Sequence, residues 1–272
     1  MTSRVHVVAV EAVYGDIVHQ IAGNAVTTTT LLNNARADPH AYEPTTHDAD
    51  AVAEADLVIE NGLGYDTFVD KLLAASPRNG RTVIVVGTLA GRHPGDNPHV
   101  WYETEALRRL CAALVTDLGG RMPAHRSGFV RANARVRTWI DAFARRTLAL
   151  ARRYRGTSVA ITEPVFDAVL RAASLRIATP PSFSKAIENG GDPSPQDVAT
   201  LHALLAGRRV AALVYNRQTV EPSTSRLLTL AQTSGVAVVP VTETLPPGWH
   251  VQGWFDGELM ALARALQTYR RT

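Results

Sequence analysis

Cysteine is nearly absent from this 272-residue chain: Cys111 stands alone, which excludes an internal disulfide framework. It lies in LRRLCAALVTDL at helical spacing with Leu107, Leu110 and Leu114, and reads as a buried thiol rather than a nucleophile. Lysine is almost missing too, with Lys71 and Lys185 the only two among 28 basic residues. The pI near 9.2 and net charge of +3 therefore come from arginines scattered among acids, without the aromatic-interleaved basic segment of a nucleic-acid binder. No apolar run is long enough to cross a bilayer, and no basic-apolar-small leader opens the chain, since Met1-Thr2-Ser3 runs directly into strand-like sequence. H-E-x-x-H, C-x-x-C, the P-loop and G-x-S-x-G are all missing, and NGLGYD matches no nucleotide fingerprint.

What is present is alternation. RVHVVAV (4–10), VTTTTLL, DLVIENG and RTVIVVG read as strands separated by helical segments, among them VYGDIVHQIAG closed by Gly23 and THDADAVAEA capped by Thr46. The second half repeats the scheme with TSVAIT (157–162), RVAALVY (209–215) and VAVVPV (236–241), interleaved with four helices. Such alternation predicts an α/β fold of two βα lobes with mainly parallel sheets. Between them, Phe129, Ala132, Val136, Ile140, Phe143, Thr147, Leu150 and Tyr154 recur every three or four residues. That spacing predicts a single long helix joining an N-terminal lobe (1–121) to a C-terminal lobe (156–272), with the linking segment at 122–155. Its arginines read as a solvated outer face.

In open parallel sheets, ligands bind outside the carboxyl ends of the strands. His40, in ADPHAYEP, follows the second strand, and His99, in DNPHVWYE, follows the fourth. Glu163 follows TSVAIT, and Glu243 follows VAVVPV. Proline flanks each of them and lowers the entropy cost of holding a side chain there. Two imidazoles and two carboxylates form a donor set for a divalent cation. Each residue also has a plainer role: a surface histidine, a helix-capping carboxylate at Glu163, a solvated turn residue at Glu243. His47 and His93, near the Pro-His pairs, are the decoys.

DPHAYEPTTHDADAVAEADLVIENGLGYD, NPHVW, TEPVF, DPSPQDV and the closing VTET together resemble the metal-binding solute-binding proteins of bacterial ABC importers, the manganese- and zinc-binding cluster. The resemblance runs over essentially the whole chain. It implies two lobes clamping a metal, with His40, His99, Glu163 and Glu243 as ligands. Glu243 stands where the family usually has Asp, and Asn97 where DPHVW is commoner, so Asn97 is expected only to support the loop. The implied partner is an ABC importer membrane permease, with no nucleic acid, and the implied protein is an extracytoplasmic monomer, periplasmic or at the cell surface and lipid-anchored in some family members. Its cargo is a divalent metal, Mn(II) favoured over Zn(II) because two carboxylates make a hard set that expands past four-coordination when they bind through both oxygens. Iron(II) is a minor possibility. The rivals are a metal-dependent hydrolase, with Glu43 or Glu103 as base, and an adhesin-like surface protein.

Overall fold

The computed structural model describes residues 4–33, 42–219 and 221–269. The N-terminal half runs β1 (Val5–Glu11), α1 (Ala12–Ala22), β2 (Val26–Leu32), α2 (Thr46–Glu54), β3 (Leu57–Glu60), α3 (Thr67–Ala75), β4 (Thr82–Val85), α4 (Val86–Leu89), α5 (Thr104–Arg121) and the long α6 (Arg126–Tyr154). There follow β5 (Ser158–Ile161), α7 (Asp167–Ala172), β6 (Arg176–Ile177), α8 (Pro181–Glu188), α9 (Pro195–Ala206), β7 (Ala212–Asn216), α10 (Pro222–Thr233), β8 (Ala237–Val241) and α11 (Val251–Tyr269).

Both sheets are four-stranded, and every pairing given for them is parallel. Their orders match: β2-β1-β3-β4 in one and β6-β5-β7-β8 in the other. The sequence explains which strands lie inside. β1 is an unbroken apolar run whose Val7, Val8, Ala9 and Val10 are fully buried, as a central parallel strand demands. β2 lies at the sheet edge, where its threonines stay partly exposed while Leu31 and Leu32 are buried. In the other lobe Phe183 and Ile187 of α8, Leu201 and Leu205 of α9, and Leu227 of α10 pack on Leu213 and Tyr215 of β7.

The long helix forms as its periodicity predicts, over 29 residues and about 44 Å at 1.5 Å per residue. Its buried stripe is Phe129, Ala132, Val136, Ile140, Phe143, Thr147, Ala151 and Tyr154. Ala151 takes the place expected for Leu150, which is half-buried. Arg131, Arg135, Arg145 and Arg152 face solvent. The chain divides into two compact units, Met1–Ala142 with Thr244–Gln252 and Phe143–Glu243 with Gly253–Thr272. None of the described helices is long and apolar enough to cross a membrane.

Two local readings need correction. Thr45, not Thr46, caps α2: its hydroxyl accepts from Asp48 N–H at 3.3 Å, and Asp48 Oδ2 accepts from Thr45 N–H at 2.7 Å. That reciprocal pair is a capping box, and it satisfies two helix-end donors at once. The second is α8, which no strong periodicity announces. Its Pro181 occupies the first helical turn, where a missing N–H costs nothing, and Phe183 and Ile187 supply its buried face. Cys111 is fully buried as expected, and burial pushes its thiol up to about 12.

Candidate metal centre

In a sheet of order 2-1-3-4 the chain reverses its winding between the first and third strands, and the crevice beyond those strand ends is where side chains can converge. In the C-terminal lobe that point lies between β5 and β7. Glu163 follows β5, Asn216 ends β7, and Glu243 follows β8. All three are nearly inaccessible, with exposures of 2%, 1% and 3%. Asn216 Nδ2 donates to Glu163 Oε2 at 2.7 Å and to Glu243 Oε1 at 2.6 Å, with Thr219 Oγ1 farther away at 3.1 Å. The amide's orientation follows from its other end, because Asn216 Oδ1 accepts the Gln218 N–H at 3.1 Å. Gln218 in turn accepts the Glu243 N–H on Oε1 at 2.6 Å. Glu163 does precede the turn Pro164–Phe166, yet its side chain makes no capping bond there. Neither carboxylate is the helix cap or solvated turn residue of the plainer reading.

In the N-terminal lobe His99 is buried, 3% exposed, just before the turn Val100–Tyr102. Asn97 Oδ1 accepts both the His99 backbone N–H at 2.9 Å and a contact from His99 Nδ1 at 2.7 Å. A backbone N–H can only donate, so the atom it meets is oxygen, and Nδ1 must then carry the ring proton. That tautomer puts the imidazole lone pair on Nε2, the nitrogen a metal would use. Asn97 therefore does more than support its loop, the role expected of it from its position in NPHVW. Trp101 and Tyr65 stand edge-on to the His99 ring, with centroids at 5.1 and 6.1 Å.

Beneath His99 is a network that strand patterns do not reveal. Asn61, fully buried just past β3, donates through Nδ2 to the Pro98 carbonyl at 2.9 Å and accepts the Tyr14 hydroxyl at 2.6 Å. The chain then turns sharply through Gly62 and Leu63, both at positive φ, of 74° and 61°. A Cβ on Gly62 would meet Val85 Cγ1 at 2.5 Å, and one on Gly87 would meet Leu63 Cγ at the same distance. The turn brings Asp66 back to accept from the N–H groups of Asn61 at 2.6 Å and Gly62 at 2.8 Å.

Glu11, at the end of β1, lies against Asp66, and no donor among the described residues reaches either of its oxygens. Two carboxyls can bond each other only if one holds a proton. Burial first, then the Asp66 charge, raises Glu11 well above the usual carboxylate range. Burial also raises Asp66, although its backbone bonds pull the other way. Burial and mutual repulsion thus act together to disfavour two full charges on this pair.

Glu60, beside them, is pushed up to about 7 by burial and by Asp66 and Asp70. Its folded value exceeds its ordinary 4.5, so the folded state binds more protons between those values and loses stability as pH rises through them. Glu60→Gln is accordingly expected to gain stability over wild type between about pH 4.5 and 7 and to hold that gain above 7. Urea midpoints measured across that range would refute the assignment if the difference between the two proteins stayed constant.

Of the four candidate ligands, Glu163 follows β5 and Glu243 follows β8, whereas His99 lies beyond α4, before the turn Val100–Tyr102 and not at the end of β4, and His40 lies outside the described residues. Among the described residues no three histidine, cysteine or acidic side chains form a metal-holding group. His47 and His93 are exposed, and Glu103 is engaged by Arg92 at 2.8 Å.

Comparison with known proteins agrees with this architecture. A putative metal-binding protein of Thermotoga maritima is 26% identical over 165 residues, 60% of this chain and 59% of that protein. The manganese-binding lipoprotein MntA of Halalkalibacterium halodurans is 27% identical over 117 residues. That match covers 41% of this chain and 38% of the relative, so the chain aligns with only part of either relative's length. The periplasmic zinc-binding protein TroA of Treponema pallidum shares the fold with a TM-score of 0.79, at 18% identity over 98% of this chain and 99% of its own. The solute-binding protein FpvC of Pseudomonas aeruginosa, solved with Mn2+, gives 0.77 at 22% identity over the same 98% and 99%. The model of the family described as zinc-uptake complex component A, periplasmic (ZnuA), matches residues 7–265, and the chain belongs to that family.

Proposed function

We propose that this chain is an extracytoplasmic solute-binding protein that captures a divalent transition metal and delivers it to the membrane permease of an ABC importer, acting as a monomer and without catalysis. The ligands in this reading are His40, His99, Glu163 and Glu243. The observation that carries it is the carboxylate pair: two buried glutamates from different strand ends converge on one amide group. Such a concentration of acceptors suits a cation, and the fixed His99 tautomer offers a nitrogen lone pair of the kind a transition metal takes. Family membership and relatives named for manganese and zinc support the same cargo class. Two imidazoles with two carboxylates favour Mn(II) over Zn(II) to the extent that the carboxylates bind through both oxygens. A hydrolase would need a general base beyond the ligands. Glu103 is committed to Arg92, and Glu43 is exposed.

The test is thermal unfolding of the metal-stripped protein titrated separately with Mn(II) and Zn(II). A metal at a hundred times its dissociation constant adds about 2.7 kcal/mol to stability, a plain shift in midpoint. His99→Ala and Glu163→Ala should each abolish that shift. No shift in wild type with either metal would overturn the capture reading.

A further inference from the structure

We propose that the end of the C-terminal lobe away from Glu163 and Glu243 is a cationic docking face for an anionic phospholipid surface. The four strands of this sheet run parallel, so their amino ends share one side. Backbone bonds tie those ends together: the Gly156 N–H donates to the Ser174 carbonyl, Arg176 N–H to that of Thr157, and Ala211 N–H to that of Ser158. α11 ends on the same side, where Arg208, Val236 and Ala265 line one cavity of about 250 Å³. Around these strand starts stand Arg152, Arg153, Arg155, Arg176, Arg208 and Arg209, every one exposed. All six belong to one compact unit. β7 is five residues long, which puts this face roughly 16 Å from the strand ends that carry the two glutamates.

Arginines dispersed along the chain thus gather in the fold. The segments that build the face, 150–158, 168–178, 203–212, 228–238 and 262–269, hold no aspartate or glutamate. None of the six arginines has an ion-pair partner among the described residues. Arg176 spends Nε and Nη2 on one neutral acceptor, the Ser158 hydroxyl, at 3.0 and 2.6 Å, and Arg153 lies over the Tyr154 ring at 5.3 Å. An arginine near a helix end has a plainer use, because a helix C-terminus carries about half a negative charge. Five helices end here, α6, α7, α9, α10 and α11, for roughly −2.5 in all, less than half of what the six arginines supply. Arg208 also holds φ 51° just past α9, a left-handed position where glycine is the ordinary residue. A guanidinium is kept there against the preference of its backbone.

The chemistry selects the partner. Tyr269 is the one large apolar side chain exposed in these segments, so the face offers no row of rings for single-stranded nucleic acid and no wedge to bury in hydrocarbon. Guanidinium forks match phosphate oxygens, and each basic residue beside an anionic bilayer adds about fivefold to binding. Arginine keeps its charge at any working pH, so docking is indifferent to pH and sensitive to salt. The contact touches neither Glu163 nor Glu243; it goes beyond metal capture and does not depend on it.

The experiment is cosedimentation of the metal-free protein with vesicles of phosphatidylglycerol and phosphatidylcholine in equal parts, with pure phosphatidylcholine as the blank. Wild type should bind the mixed vesicles at low salt, ignore the blank, and be released near 1 M salt, where the screening length falls to about 3 Å. Arg152→Gln/Arg153→Gln/Arg208→Gly/Arg209→Gln should bind at least about fiftyfold more weakly. The charge-matched Arg126→Gln/Arg131→Gln/Arg135→Gln/Arg137→Gln, on the first half of α6, should lose less than about fivefold. Arg208→Gly alone separates docking from folding. Glycine accepts φ 51° freely, so its thermal midpoint should hold or rise while vesicle binding falls about fivefold, and unchanged binding counts against the proposal. Failure of wild type to bind the mixed vesicles at low salt overturns it, as does an equal loss in the two fourfold variants, which would mean diffuse charge. Tighter binding to duplex DNA than to the vesicles at the same salt also overturns it and makes the face a nucleic-acid site. The metal-induced shift in midpoint is measured separately, and each of these results leaves it unchanged.

Discussion

Asp66→Ala is expected to destabilise the protein by about 4 kcal/mol, because it strands several buried polar groups at once. The N–H groups of Asn61 and Gly62 lose their carboxylate acceptor, and Glu11 loses the carboxyl it lies against. A buried donor left unsatisfied costs about 1–3 kcal/mol, and two are created together with an orphaned carboxyl. The turn they hold contains Leu63 at φ 61°, a conformation that non-glycine residues rarely keep without support. Glu11→Gln is the control. It preserves volume and presents an N–H to Asp66, so its cost near neutral pH should stay within about 1 kcal/mol. Because folded Glu11 holds its proton more tightly than the unfolded chain does, wild type should lose stability as pH rises above the ordinary carboxylate range. Glu11→Gln should flatten that loss. Urea unfolding at several pH values measures both effects, and an Asp66→Ala cost below about 1 kcal/mol would mean that water or a rearranged turn satisfies the stranded groups.

The contrast between Glu163 and Asn216 shows how far the chain could be read before its structure. Glu163 could be singled out because a carboxylate following a β-branched strand and preceding proline is a positional signal that survives in one dimension. Asn216 ends a strand just as plainly, yet a neutral amide there suggests nothing until its partners are known. Those partners lie 53 and 27 residues away. Asn61 and Asp66 are silent for the same reason: NGLGYD matches no fingerprint, and only its folded path returns a carboxylate to the preceding amides. Strands and the long helix were legible because apolar periodicity is local and extends over many residues. The two-residue β6 and the proline-led α8 are too short for periodicity to rise above composition. At α2 the cap falls on Thr45, one residue before the expected Thr46, because Asp48 reaches back to the Thr45 N–H.

Trp101→Ala should carry the other large penalty, about 4 kcal/mol, because it empties a fully buried site beside His99. The indole meets Tyr65 at 5.2 Å and 63°, His99 at 5.1 Å and 77°, and Tyr102 at 6.3 Å and 45°. The edge-to-face contacts with Tyr65 and His99 add about 0.5–1.5 kcal/mol each beyond area burial, so the loss exceeds that of an average core side chain. Trp101→Phe retains a ring in the same place and should cost about half as much, since less volume is removed. The two variants also separate packing from ligand placement. The His99 ring keeps its Asn97 bond in both, but only in Trp101→Ala does it lose the indole beside it. The metal-induced rise in midpoint should therefore shrink with alanine and largely survive with phenylalanine. If both variants lose stability while the metal response is untouched in each, the Asn97 bond and the backbone turn suffice to aim His99, and Trp101 belongs to the core alone.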